Sequence, residues 1–359
     1  MRKLILFAAV LTIIGFGILQ FKKKEPLYHS QSYVFGTLVD ISIYGESDER
    51  ARAVTNLILQ DFQQLHHRFH AWKTDASGNA SELGKLNEAF AKGTSPIEVQ
   101  ADLANIIRDA TALSVKSHGL FNPAIGHLIG TWGFQRDEFD AIEINQETIK
   151  NLVHAAPRMT DIVLNERNVY SKNPHVKLDL GGYAKGYALD LALQRLRKEK
   201  INHALVNIGG NIIALGQHGQ KPWRVGIQHP RAPTALATID LPSGWAIGTS
   251  GDYQRYFIQN HQRYCHIIDP RTGYPVQHTQ SVTVLIPPQS VHQTQAGVLS
   301  DVATKPIFIA SAENKYQMAN MFGIEYLMVI DEKSNITVSK KMAKILYWLQ
   351  PDVQFSTFE

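Results

Sequence analysis

Cysteine is nearly absent: of 359 residues only Cys265 carries a thiol. An intrachain disulfide is therefore impossible, and a cysteine-built zinc site within one chain is excluded. An excess of charge of either sign is also missing from the main body. The formal net charge is +4, and Arg2, Lys3, Lys22, Lys23 and Lys24 against Glu25 account for all of it. Residues 26–359 are formally neutral, so the pI of 8.9 describes a tail and predicts no nucleic-acid partner. The 15 histidines are scattered. No HExxH or comparable spacing occurs, and His66, His67 and His70 are the nearest approach to a zinc cluster. No internal repeat and no low-complexity tract are present. What remains, 44% hydrophobic and 19% charged residues, is ordinary globular composition and excludes a mainly disordered chain.

One long apolar run is present. Residues 4–21, LILFAAVLTIIGFGILQF, carry no charge. Eighteen helical residues span about 27 Å, close to a bilayer core. Arg2 and Lys3 precede the run and Lys22–Lys24 close it. We read residues 1–25 as an uncleaved signal anchor, a membrane-spanning hydrophobic helix. No convincing small-x-small cleavage site precedes the lysines; a cleaved signal peptide and a buried core helix are the other readings. Basic residues are nearly balanced across the span, so charge fixes orientation poorly. Residues 26–359 then form one soluble body.

In that body, 33–44 alternates as a strand, and 48–69 carries Leu57, Leu59, Phe62, Leu65 and Phe69 roughly on one helical side. Residues 98–117 and 184–199 read as further helices. Strands are expected at 203–208, 211–215, 223–228, 236–240, 245–249, 254–259, 264–268 and 280–286. A helix over 295–311, interrupted by Pro306, and a strand at 325–331 follow. Helices and strands intersperse without a βαβ rhythm, which predicts an α+β fold.

Four segments carry candidate chemistry. In LDLGGYAKGYALD, 178–190, a strand ends at Asp179, and Lys185-Gly186 opens a helix. Glycines allow close backbone approach, helix-start N–H groups favour phosphate, and Lys185 adds a charge. The Walker A spacing is absent, and alone the segment is equally a plain turn. LVNIGGN, 205–211, is a strand followed by a glycine turn. Residues 247–275 read as one hairpin: TSGD opens it, QNHQ turns it and HIIDP ends the return strand. His266 stands near that end, with Thr249, Ser250, Asp252 and Asp269 close in sequence. In SDVATK, 300–305, Asp301 and Thr304 share a helix face and are oxygen ligands suited to Mg²⁺, or simply cap a helix.

Taken in order, these segments resemble the ApbE family, the FAD:protein FMN transferases. The elements are FGTLVDISIYG (35–45), FHAW…SELGKLN (69–87), LFNPAIGHLIGTWGF (120–134), LDLGGYAKGYALD (178–190), LVNIGGN (205–211), TSGDYQRYF (249–257), RYCHIIDPRTGYPV (263–276) and SDVATK (300–305). The resemblance implies a single compact α+β body of mixed sheets and flanking helices, T-fold-like, over residues 26–359. It implies a protein that binds FAD, splits its pyrophosphate with Mg²⁺, moves FMN to a Thr or Ser hydroxyl of an acceptor flavoprotein and releases AMP. An FAD pyrophosphatase and a non-catalytic FAD-binding protein are the alternatives. Export is usual in the family, which implies an inner-membrane anchor with the body in the periplasm.

Site residues follow by match. Phe35, Trp72, Leu120, Phe121, Asn122, Asp179, Lys185 and Ile268 would bind FAD. His266 would be the base, with an imidazole pKa near its ordinary value of about 6.5. Asp301, Thr304 and the Gly182 carbonyl would hold Mg²⁺. Lys305 departs from the family pattern, in which a threonine four residues after the metal aspartate ligates the ion. A protonated lysine has no lone pair to offer. Either Thr304 takes over, or the Lys305 ammonium replaces part of the cation's role.

Overall fold

The structure, a computed structural model, describes residues 26–72, 78–136, 138, 141–290 and 295–358. The signal anchor expected over residues 1–25 lies outside them. Among the described residues no helix is long and apolar enough to cross a membrane.

A nine-stranded sheet organises the body, and its spatial order follows the chain: Leu27–Val34, Thr37–Tyr44, Ala204–Ile208, Asn211–Leu215, Ala246–Gly251, Thr279–Ile286, Tyr326–Asp331, Ile336–Ser339 and Phe355–Phe358. Every neighbouring pair is antiparallel except the last. Antiparallel neighbours need only short connections, and the helices are spliced between strands rather than crossing over them. The expected α+β class follows from this.

Both faces of the sheet are buried, which the two-residue period makes visible. Val206, Ile208, Ile213, Val282, Val284, Leu327 and Val329 face the larger core. That core is completed by the helices Asp48–Phe69, Ala101–Lys116, Ala184–Lys198 and Ala296–Ile309. The alternate residues Ile212, Ala214, Leu285, Met328 and Ile330 face a second core. A small sheet of Leu346–Trp348, Ala235–Leu241 and Trp223–Gln228 covers that side. A third cluster, including Leu128, Trp132, Phe134, Ile149 and Phe257, packs the helices Gly126–Thr131 and Gln146–Ala155 against the hairpin Tyr256–Gln259/Gln262–Cys265.

The structure corrects three local expectations. The strand read over 33–44 is a hairpin, with Val34 opposite Thr37 and Phe35-Gly36 as its turn. Both turn residues have positive φ, 58° and 68°. Such turns favour Asn, Asp or Gly at the first position, so phenylalanine there conceals the turn. The expected hairpin over 247–275 is divided. Thr249, Ser250 and Gly251 belong to the nine-stranded sheet, and the true hairpin spans only Tyr256–Cys265, turning at Asn260-His261. Pro306 does not interrupt its helix, which runs on to Ile309.

Two helices that carry the site cross at glycines. A Cβ on Gly186 would lie 2.4 Å from the Gly297 carbonyl oxygen and 2.7 Å from Val298 Cα. Asp190, one turn on, accepts Gly297 N–H and Val298 N–H, both at 2.8 Å, and so caps the helix Ala296–Ile309. Gly186→Ala is expected to destabilise the fold by about 1–3 kcal/mol through overpacking against backbone. The shift in urea midpoint measures it, and an unchanged midpoint would show that the crossing has room.

Candidate active site

Two short turns stand together at one end of the sheet. Phe35-Gly36 closes the first hairpin, and Gly209-Gly210, at φ 57° and 92°, closes the Ala204–Ile208/Asn211–Leu215 hairpin beside it. The fit is close: a Cβ on Gly209 would lie 2.5 Å from Thr37 Oγ1. Two adjoining cavities of about 510 and 470 Å³ lie here; Phe35-Gly36 lines both and Gly209-Gly210 the second. Phe35, Phe134, Asp179, Lys185 and Arg255 line both.

Aromatic groups define the first cavity. Trp72 donates its indole N–H to Asp179 Oδ2 at 2.7 Å, and Lys177 Nζ lies 3.7 Å from the Trp72 ring centroid. The other Asp179 oxygen accepts Gly181 N–H at 2.8 Å. Asp179 therefore joins the wall to the glycine turn that leads into Lys185. The Phe35 ring lies 5.6 Å from Phe62 and 5.8 Å from His66, centroid to centroid.

The second cavity adds His266 and Lys305 to the charged groups that the two share. Leu120, Phe121, Asn122, Gly182, Lys185, His266 and Ile268 line it, together with Arg255 and Lys305. Asn122 is committed to the scaffold: its amide donates to the Pro157 carbonyl at 2.8 Å, and its Oδ1 accepts Ala124 N–H at 3.1 Å. Ile268 begins the DPRTGYP turn. Asp269 holds that turn by accepting Arg271 N–H at 2.9 Å and pairing with the Arg271 guanidinium at 2.7 Å. Trp132 locks it from behind, donating to the Gly273 carbonyl at 2.7 Å.

His266 emerges just beyond the short hairpin. Its Nδ1 lies 3.2 Å from the Arg255 carbonyl oxygen, which can only accept. Nδ1 therefore carries the ring proton, and Nε2 keeps its lone pair. The ordinary imidazole pKa expected from sequence is not what the surroundings impose. Burial chiefly, then the charges of Arg255, Lys185 and Lys305, lower it to about 3. The neighbours that sequence offered His266 are engaged elsewhere. Thr249 pairs with Thr283, Ser250 with Thr304, Asp252 with Arg231 and Asp269 with Arg271.

Asp301 and Thr304 lie behind the cavity wall, each 1% exposed. Asp301 Oδ2 accepts Gly186 N–H at 3.0 Å, while Oδ1 accepts the Lys305 ammonium and lies 3.8 Å from Lys185 Nζ. Burial opposes its charge, but the two lysines outweigh it and hold the carboxyl below the usual range. Thr304 donates to the Asp301 carbonyl and meets Ser250 Oγ, both at 2.7 Å. Sequence reasoning did not single out Arg255, Phe134 or Trp132. Each lies inside a quoted motif, but only the fold brings Arg255 and Phe134 to the cleft and packs Trp132 behind it.

An α+β body whose cleft combines aromatic walls with clustered cations suits a large, anionic, partly aromatic ligand. The chain belongs to the ApbE family, whose model matches residues 35–328. It is 36% identical over 335 residues to an FAD:protein FMN transferase of Rhodobacter capsulatus, covering 93% of this chain and 61% of that relative. The chain thus spans under two thirds of that protein's length. A Klebsiella pneumoniae (strain 342) FAD:protein FMN transferase is 28% identical over 334 residues, covering 90% of this chain and 87% of the relative. Among solved structures, the ApbE protein of Thermotoga maritima superposes with a TM-score of 0.77 at 28% identity, over 89% of this chain and 99% of that one. The flavin transferase ApbE of Vibrio cholerae superposes at 0.74 over the same shares; at 22% identity it supports the fold alone.

Proposed function

We propose that this protein is an FAD:protein FMN transferase: it moves the FMN half of FAD to a Thr or Ser hydroxyl of an acceptor flavoprotein and releases AMP. The observation that carries the reading is a neutral His266, Nε2 unprotonated, on the wall of a cavity that also holds Lys185, Lys305 and Arg255. Phosphoryl transfer asks a protein for position, charge neutralisation and a proton acceptor. The two adjoining cavities suit the two halves of a dinucleotide, with the cations at the pyrophosphate.

His266 Nε2 takes the proton of the acceptor hydroxyl. In the protein alone its basicity is suppressed first by burial and then by three nearby cations. A doubly negative pyrophosphate offsets those charges, so the imidazole becomes a stronger base when FAD is bound. Lys185, at the start of the helix Ala184–Lys198, and Arg255 hold the phosphate oxygens.

The Mg²⁺ that the family resemblance implies does not fit the residues as they stand. The one carboxylate at the position, Asp301, already faces two ammonium groups. No step is routed through a metal here.

The apolar, lysine-flanked run of residues 4–21 supports an inner-membrane anchor, and the periplasmic side for this body rests on the export usual in the family it resembles. The test uses the full-length protein with FAD, millimolar MgCl₂ and a flavoprotein fragment carrying an acceptor threonine. Mass spectrometry is expected to find an FMN adduct on that threonine and an equal amount of free AMP. AMP without adduct would favour a pyrophosphatase. Intact bound FAD would mean a binding protein without turnover.

A further inference from the structure

Lys305 occupies a particular place. Its ammonium donates to the Asp301 carboxylate and to the Asp301 main-chain carbonyl, the latter at 2.7 Å. Its stem passes Gly182: a Cβ there would lie 3.5 Å from Lys305 Cε. The lysine therefore fills the space between Gly182 and Asp301 and also lines the larger cleft. A divalent cation at this point would have to displace it or share one carboxylate with two ammonium groups. Both are costly at a buried position.

We propose that the Lys305 ammonium is the resident cation of this enzyme, standing in for a divalent metal at the FAD pyrophosphate, so that FMN transfer proceeds without Mg²⁺. The proposal rests on the transferase reading. An ammonium has three N–H donors. Asp301 takes two of them, and the third is directed to a phosphate oxygen. In the transfer step the acceptor oxygen bonds to the FMN phosphorus. The bond from that phosphorus to the bridging oxygen breaks, and AMP leaves with that oxygen and its electron pair. The hydroxyl proton passes to His266. Lys305 neutralises charge throughout and gives up no proton.

The full-length protein is stripped with EDTA and its metal content checked by plasma emission. FAD binding is followed by calorimetry, and transfer by mass spectrometry, with and without added Mg²⁺. Binding and transfer are expected to be the same in both conditions, and Mg²⁺ titrated into the FAD complex should give no binding heat. Lys305→Met keeps the stem and removes the charge; metal-free FAD binding should weaken by about 10–100-fold, the worth of a charge-assisted hydrogen bond. Loss of binding or transfer in EDTA that Mg²⁺ restores would overturn the proposal and leave the transferase reading standing. So would a Lys305→Met protein that binds FAD as tightly as the parent without metal. Absence of FAD binding in both conditions would overturn the transferase reading and this proposal with it. The wild-type comparison needs no variant, so a misfolded variant does not shield the idea.

Discussion

Replacing His266 with alanine is expected to lower FMN transfer by about 10²- to 10⁴-fold, the usual worth of a positioned general base, while FAD still binds. The split follows from geometry. Nδ1 is tied to the Arg255 carbonyl, so the ring contributes one free lone pair and no positive charge. Removing a neutral ring costs the pyrophosphate none of its cations. FAD affinity by calorimetry and single-turnover transfer by mass spectrometry measure the two halves. A variant that transfers at the parent rate would remove His266 from the reaction.

The same residue sets a pH signature. Neutral imidazole is the active form, so activity is lost as pH falls through its pKa. In the protein without FAD that value is lowered to about 3. The kcat/KM profile, which reports the free enzyme, should therefore show no acid-side loss from His266 between about pH 8 and 5. The kcat profile reports the FAD complex, where phosphate offsets the cations, and its acid limb should lie at higher pH. Coincident acid limbs near the ordinary histidine pKa in both profiles would contradict this account. Linkage gives a second sign. With the folded pKa below the unfolded value, the contribution to stability is complete above about pH 6.5 and falls as the solution is acidified toward the folded value.

The fold was most legible where one period dominates. The helix Asp48–Phe69 begins after Ser47, whose side chain accepts Arg50 N–H, and it buries Val54, Ile58, Phe62, Leu65 and Phe69 on one face. The strand Leu27–Val34 was missed because it lies at the sheet edge with mostly exposed or half-buried side chains, and its turn is hidden behind a phenylalanine at positive φ. The strands Ile336–Ser339 and Phe355–Phe358 are four residues each, too short for alternation to register. At the site, residues inside glycine-rich motifs could be named, but not their partners. Helix spacing puts both Thr304 and Lys305 near Asp301. It does not tell that Thr304 turns toward Ser250 while Lys305 turns toward the cleft. That distinction depends on where the strand Ala246–Gly251 packs, which is a long-range fact.

The arrangement around Asp301 makes its removal the most damaging change to stability. Asp301→Ala is expected to cost about 3–5 kcal/mol, the range for breaking a buried ion pair from one side. It would leave Lys305, whose side chain is 16% exposed, and Lys185, at 23%, without their shared counter-charge. It would also strip the Gly186 N–H of its acceptor at the helix crossing. Urea denaturation measures the loss, and FAD should partly restore stability because its phosphates replace the missing negative charge. The pairing can be separated from the packing by a second substitution. Lys305→Met in the Asp301→Ala background removes the stranded cation while keeping an unbranched stem beside Gly182. The double variant should therefore be more stable than Asp301→Ala alone. If the two losses instead add, Asp301 and Lys305 are not coupled, and the ion pair is not what holds this corner of the cleft. If Asp301→Ala leaves the midpoint unchanged, the buried carboxylate is not compensating the lysines. A cation-filled cleft stable without it would then call for a different account of how the helices Ala184–Lys198 and Ala296–Ile309 tolerate Lys185 and Lys305 side by side.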